Sequence, residues 1–184
     1  MNPAVTNLMV SLGAMQVARK IPFEDPQVLQ WVRIGYIAAQ VICLATFYVV
    51  SAKIKAKNDQ TVLKYVEPKN PMSPDSGGLV TTTVRDYDLA ETSKLVRGVY
   101  MGVLMMAFLH GYMKYTQPLF IQGLMALKNL IEAKPVAIHI FGKPAQGDLK
   151  RPFKAAGGLF GAGEPATDAA SIKEAEKVAA KKDE

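Results

Sequence analysis

Charge is missing from long parts of this sequence. Asp, Glu, Lys and Arg are absent from 1–18, 34–52, 98–113 and 115–127, although the chain carries 22 Lys and Arg against 16 Asp and Glu. A soluble domain with buried core helices is the competing reading. Against it, Gln40, Thr46 and Ser51 are scattered along 34–52 without forming a polar face at helical period. Cysteine is almost absent as well. Cys43 alone excludes an intramolecular disulfide and a cysteine metal site, and reads as a small packing residue. The two histidines, His110 and His139, lack zinc-site spacing, so no metal and no cofactor is expected. No catalytic pair stands out, and no enzymatic activity is expected. No nucleic-acid-binding motif is visible. The net charge of +6 fits anionic lipid or ribosomal RNA without separating them. The first apolar run lacks a basic region before it, since Arg19 and Lys20 follow it, so it is not a secretory signal of the usual kind.

What is present is a set of short apolar runs. Crossing a ~30 Å hydrocarbon core takes roughly 20 apolar residues, with about 17 as a lower limit. IGYIAAQVICLATFYVVSA (34–52) meets that requirement, and 98–113 meets it when Leu95 and Val96 join and Arg97 and Lys114 snorkel. Residues 3–18 form a shorter helix on which Asn7 and Ser11 share a face better turned to protein or water than to lipid. LFIQGLMALKNLI (119–131) is a fourth, with Pro118 in its first turn. The expectation is a mainly α-helical multipass membrane protein with three to four short transmembrane helices and a small cytosolic β-containing subdomain. The bundle covers 1–135, with helices at about 3–18, 32–52, 95–114 and 118–132.

Lys53, Lys55 and Lys57 follow the strongest span, and the positive-inside rule puts the 53–94 loop in the cytosol. Within the loop, TVLKYV (61–66) and LVTTTV (79–84) alternate and are β-branched, which predicts a hairpin with EPKNPMSPDSGG as a long, poorly ordered connection. VAIHIF (136–141) reads as a third strand, and three strands make a viable unit where two are marginal. Pairing of 136–155 with the 61–84 hairpin then requires an even number of crossings between 94 and 136. Both termini are cytosolic in this arrangement. If the first and last helices only lie in the interface, the termini are lumenal.

Residues 156–184 read as a flexible tail: a Gly/Ala-rich linker, then SIKEAEKVAAKK, whose Ser171 and Glu174 have capping-box spacing. The chain ends KKDE, so Lys181 and Lys182 match the cytosolic dilysine retrieval signal of endoplasmic-reticulum membrane proteins.

FGKPAQGDLKRPF (141–153) has glycines spaced as in a phosphate-binding loop, but Asp148 and Leu149 stand where Lys and Ser or Thr belong. The stretch reads instead as a turn presenting Lys143, Lys150, Arg151 and Lys154, together with Lys53, Lys55 and Lys57, to lipid headgroups or a partner.

Inside the helices, Asn7, Gln16, Gln40, His110, Gln122 and Lys128 make the bundle polar for its depth. Met101 and Met105 add flexible thioethers suited to varied apolar partners. Together these eight outline a half-polar groove for clients. The plainer reading makes His110 a neutral, hydrogen-bonded histidine and the methionines core packing. Gly98 and Gly102 match the close-packing motif of membrane helices, a common pattern.

Several stretches resemble one family: MNPAVTNL, EDPQVLQWVRIGY (24–36), AKNDQTVLKYVEP (56–68), TTVRDYDL (82–89), KYTQPLF (114–120) and FGKPAQGDLKRPFKA (141–155). They look like the fungal inorganic phosphate transport protein family of the endoplasmic reticulum, also identified as a membrane component of the SRP-independent (SND) targeting route. The resemblance implies a small multipass protein of the endoplasmic-reticulum membrane. Its proposed roles are phosphate transport, or delivery and insertion of membrane-protein clients beside a Sec-type translocon and a ribosome. The helices offer no arginine at mid-depth and no inverted repeat for a transporter. An insertase asks for a groove, and short spans that thin the bilayer favour it. A translocon accessory subunit without its own groove is the third reading.

Overall fold

The computed structural model describes residues 3–67, 78–154 and 165–182. The chain is mostly helical and divides into two compact units. One comprises 1–56 and 89–143, the other 57–88 and 144–184.

The first unit holds α1 (Pro3–Ala18), α2 (Pro26–Lys57), most of α3 (Val84–Met106), α4 (Gln117–Glu132) and α5 (Lys134–His139). α3 continues into a π-helical turn, Ala107–Tyr112. On α2 the buried residues are Tyr36, Ala39, Gln40, Cys43, Phe47, Val50 and Ile54. Apart from Ala39 they alternate steps of four and three, the seam of a helix that packs lengthwise on its neighbours. α4 answers with Leu119, Gly123 and Leu130. A Cβ at Gly123 would lie 3.7 Å from Tyr36 Cα, in ordinary contact, so α4 and α2 pack face to face here. Leu95, Val96 and Val99 of α3 pack on the same core.

α2 and the continuous α3–π helix, Val84–Tyr112, are long and apolar enough to cross a membrane. Only 33% of the most apolar α2 window and 6% of that on α3 is buried, whereas the core helix of a soluble domain is mostly covered. Ile37, Val41 and Ile42 on α2 and Leu104 and Phe108 on the α3–π helix face outward. So much exposed apolar surface fits lipid rather than water. α1 and α4, at 16 residues each, are shorter. They are about 24 Å long at 1.5 Å per residue.

The expected third strand is absent: 134–139 is helical, with Pro135 in the first turn. The short β-branched run VAIHIF fits strand and helix alike, and burial decides. Val136 and Ala137 are buried, and Val136 packs with Val50, Ile54 and Leu130. Gly142, at φ +65°, then turns the chain so that Lys143 N–H donates to Ala137 O at 3.0 Å.

The second unit is built on a hairpin, β1 (Val62–Val66) and β2 (Leu79–Thr83), antiparallel with Lys64 opposite Thr81. Its connection lies almost wholly in 68–77, outside the described residues. Thr83 Oγ1 accepts from Asp86 N–H at 3.1 Å and caps α3, which begins at residue 84 rather than near 95. Asp88 and Arg151 form a buried pair, and Tyr87 Oη accepts from Phe153 N–H at 2.6 Å. Thus 144–154 joins the start of α3 at Tyr87 and Asp88, and does not enter the sheet as a strand. The Arg151–Pro152 peptide is cis.

α6 (Ala169–Lys182) lies beside β1, with Lys64 Nζ 3.4 Å from Glu176 Oε1, and Val66 bridges Ala166. Ser171 does not cap this helix. Asp168 does, accepting from Ser171 N–H at 2.9 Å and Oγ–H at 2.7 Å. Both Asp-x-x-Ser and Ser-x-x-Glu fit the spacing, and the ionised acceptor suits the positive helix start better. Lys181 and Lys182 end α6, with side chains outside the described part.

Candidate functional site

The α2, α3 and α4 seams do not close completely. Between them lies a cavity of about 320 Å³. Apolar side chains, among them Cys43, Phe47, Leu95 and Met125, line most of it. Its polar lining comes from Gln40, Gln122, Asn129 and Lys94. Gln40 occupies a seam position on α2 and is forced inward by the same spacing that buries Cys43 and Phe47. Gln122 donates from Nε2 to Gly102 O at 3.3 Å, while its Oε1 is buried with no hydrogen-bond partner. A buried acceptor left unpaired costs on the order of 1–3 kcal/mol, which a bound polar group would recover.

Gly102 makes this arrangement possible. A Cβ there would sit 2.9 Å from Gln122 Nε2, whereas one at Gly98 would meet nothing within 4 Å. The Gly98–Gly102 pair therefore borders a cavity instead of a tight helix crossing. At one side Lys94 pairs with Glu91 at 2.7 Å, so the cation there is matched. Cys43 Sγ–H reaches Ala126 O at 3.6 Å, and the thiol is a packing group on the wall.

The eight residues of the expected groove do not converge. Gln40 and Gln122 line the cavity. Asn7 and Lys128 meet elsewhere, with Lys128 Nζ donating to Asn7 Oδ1 and to Glu132 Oε2, both at 2.5 Å, on the α1–α4 contact. His110 sits with Arg33, Nε donating to Nε2 at 3.0 Å, near the N-terminal end of the apolar stretch of α2. Met101 and Met105 point outward at 65% and 62% exposure, and Gln16 is exposed on α1. Depth along a helix is legible in sequence, but azimuth across three helices is not.

Lys94 and Asn129 were missed. Lys94 lies just outside a charge-free window, yet Lys94, Gly98 and Gly102 recur every four residues and share one face. That spacing was the available signal.

The basic set also divides. Lys55, Lys57, Lys143, Lys150 and Lys154 are exposed. Lys53 Nζ donates to His139 O at 3.3 Å, a cation at the carbonyl end of α5. Arg151 turns inward to Asp88 and presents nothing to a partner, because a buried carboxylate needs its charge more than the surface does. Gly147, at φ +58°, opens a short 3₁₀ turn, Gly147–Leu149. Both glycines of the phosphate-loop look-alike are thus turn residues. Among the described residues no cluster of His, Cys, Asp and Glu is arranged to hold a metal ion.

Against known proteins, residues 1–183 match the family model described as phosphate transport (Pho88). SRP-independent targeting protein 3 of Saccharomyces cerevisiae is 47% identical over 179 residues, covering 96% of this chain and 95% of that protein. An SRP-independent targeting protein 3 homolog of Schizosaccharomyces pombe is 39% identical over 177 residues, 95% of this chain and 91% of its own length. An uncharacterized protein of the same yeast is 45% identical over 164 residues, covering 89% of this chain and 81% of that protein. No solved structure matches the chain.

Proposed function

The chain belongs to the phosphate transport (Pho88) family, and from that premise we propose that it serves SRP-independent targeting as a membrane insertase of the endoplasmic reticulum. The names of the relatives support the targeting role. The observation that carries the insertase reading is the cavity, where Gln40, Gln122 and Asn129 stand among apolar walls and Gln122 Oε1 lacks a partner. A half-polar recess between membrane helices lowers the cost of drawing a client's hydrophilic flank across the bilayer.

The same reading gives the topology. Asp88 and Arg151 hold 57–88 and 144–154 in one unit, which supports a topology with both on one face of the membrane. Residues 89–143 then cross an even number of times, out along α3 and back along α4. Lys53, Lys55 and Lys57 at the end of α2 favour the cytosol for that face. A Sec-type translocon and ribosome are the partners this placement suits, with the exposed lysines as the docking side.

Reconstituted alone in liposomes, the protein is expected to raise insertion of a tail-anchored client above the lipid-only level. Insertion at the lipid-only level would remove the insertase assignment. Phosphate flux through the same vesicles would favour the transport role in the family's description.

A further inference from the structure

Arg33 and His110 form a second polar construction, separate from the cavity. Nε of Arg33 donates to His110 Nε2 at 3.0 Å, and His110 Nδ1 lies 2.9 Å from Tyr115 O. A guanidinium only donates and a carbonyl only accepts, so the imidazole is neutral with its proton on Nδ1. The ring grips Arg33 by one edge, itself fixed by the backbone just past the π turn. Arg33 is exposed, and among the described residues no carboxylate pairs with it or with Lys114.

The surroundings fix the depth. Trp31, Tyr112 and Tyr115 are 71%, 78% and 52% exposed around this end. Exposed Trp and Tyr mark the headgroup level of a bilayer. Lys53 lies 20 residues along α2 from Arg33. At 1.5 Å per residue that is about 30 Å, one hydrocarbon thickness.

We propose that Arg33, oriented by His110, binds the phosphate of an anionic phospholipid headgroup. A guanidinium fork matches phosphate oxygens in two parallel hydrogen bonds, and phosphates are what a bilayer supplies at this depth. The guanidinium of Arg33, with no carboxylate paired to it among the described residues, favours a lipid with net negative charge. His110 is a positioning residue here and touches the lipid only through Arg33.

The test is intact mass spectrometry of the full chain, released from detergent micelles containing equal phosphatidylserine and phosphatidylcholine. The wild-type protein is expected to retain phosphatidylserine preferentially, and Arg33→Gln to lose that preference roughly tenfold. Arg33→Lys keeps the charge but not the fork and should fall between them. His110→Leu should lower the preference with Arg33 intact, and Arg97→Gln should leave it unchanged. Circular dichroism confirms that each variant is folded. Equal retention of the two lipids by the wild-type protein overturns the proposal, as does a loss in Arg97→Gln equal to that in Arg33→Gln. Displacement of the lipid by millimolar inorganic phosphate would reassign the site to free phosphate and overturn it too.

Discussion

Arg151 and Asp88, 63 positions apart, meet through two parallel hydrogen bonds, Nε to Oδ1 at 2.5 Å and Nη2 to Oδ2 at 2.6 Å. Asp88 is 1% exposed, and its partner's side chain 13%. Removing one side strands a buried charge, which typically costs about 3–5 kcal/mol. Asp88→Ala and Arg151→Ala are therefore expected to loosen the second unit. Limited proteolysis should cut within 144–154 earlier in both variants, while the helices of the first unit keep their circular-dichroism signal. Unchanged cleavage would show that the pair does not hold this unit together.

Gly102, inside the cavity lining, and Gly35, outside it, separate the cavity from general helix packing. Gly102→Ala pushes the new Cβ against the flexible end of Gln122, at a stability cost near the lower end of the roughly 1–3 kcal/mol of overpacking, since that end moves. It narrows the recess and should lower client insertion, whereas Gly35→Ala, on α2 outside the cavity lining, meets open space and should not. Equal insertion by both variants in the liposome assay would detach the cavity from the activity.

Ile54 is 2% exposed in the cluster that holds Val136 of α5. Ile54→Ala should cost about 2–5 kcal/mol, as other large-to-small changes in a packed core do. Met101→Leu, by contrast, changes an outward-facing side chain and should leave the thermal midpoint where it is. A thermal-unfolding comparison in one detergent checks both.

Asp168 titrates below the usual carboxylate range because Ser171 N–H and then Ser171 Oγ–H donate to its ionised form. A carboxyl depressed in the folded state adds stability that is complete above the unfolded value, near pH 4, and is lost as pH falls through the lower folded value. The start of α6 should therefore fray in acid, with the protection of the Ser171 amide, relative to an unstructured peptide at the same pH, falling below about pH 4. Asp168→Asn keeps a capping oxygen without the titration, so its protection should lack that acid-dependent loss.

How much of this was readable in advance differs by residue. The hairpin was, because alternating β-branched residues on either side of a Pro- and Gly-rich stretch leave few other options. Helix ends were not: α3 starts at Val84 because Thr83 caps it, ahead of where charge disappears. VAIHIF misled because six residues with two Ile and one Val satisfy either period, and only the pocket formed by Val50, Ile54 and Leu130 selects the helix. Gln40 is buried on the α2 seam with Cys43 and Phe47, a spacing visible in the sequence. His110 offers no such cue: its helix position gives depth without direction, and its partner Arg33 is 77 residues away.

By itself, the sequence determined that the chain is built from apolar helices and a small β-hairpin, and it carried the family resemblance through its motifs. Those are local properties, set by where charge is absent and by which residues alternate. Tertiary structure alone decided that Arg151 belongs to Asp88, that Gly102 opens room for Gln122, and that the polar residues divide into three groups. Those outcomes depend on which faces of separate helices meet, and that follows from how their packed volumes fit together.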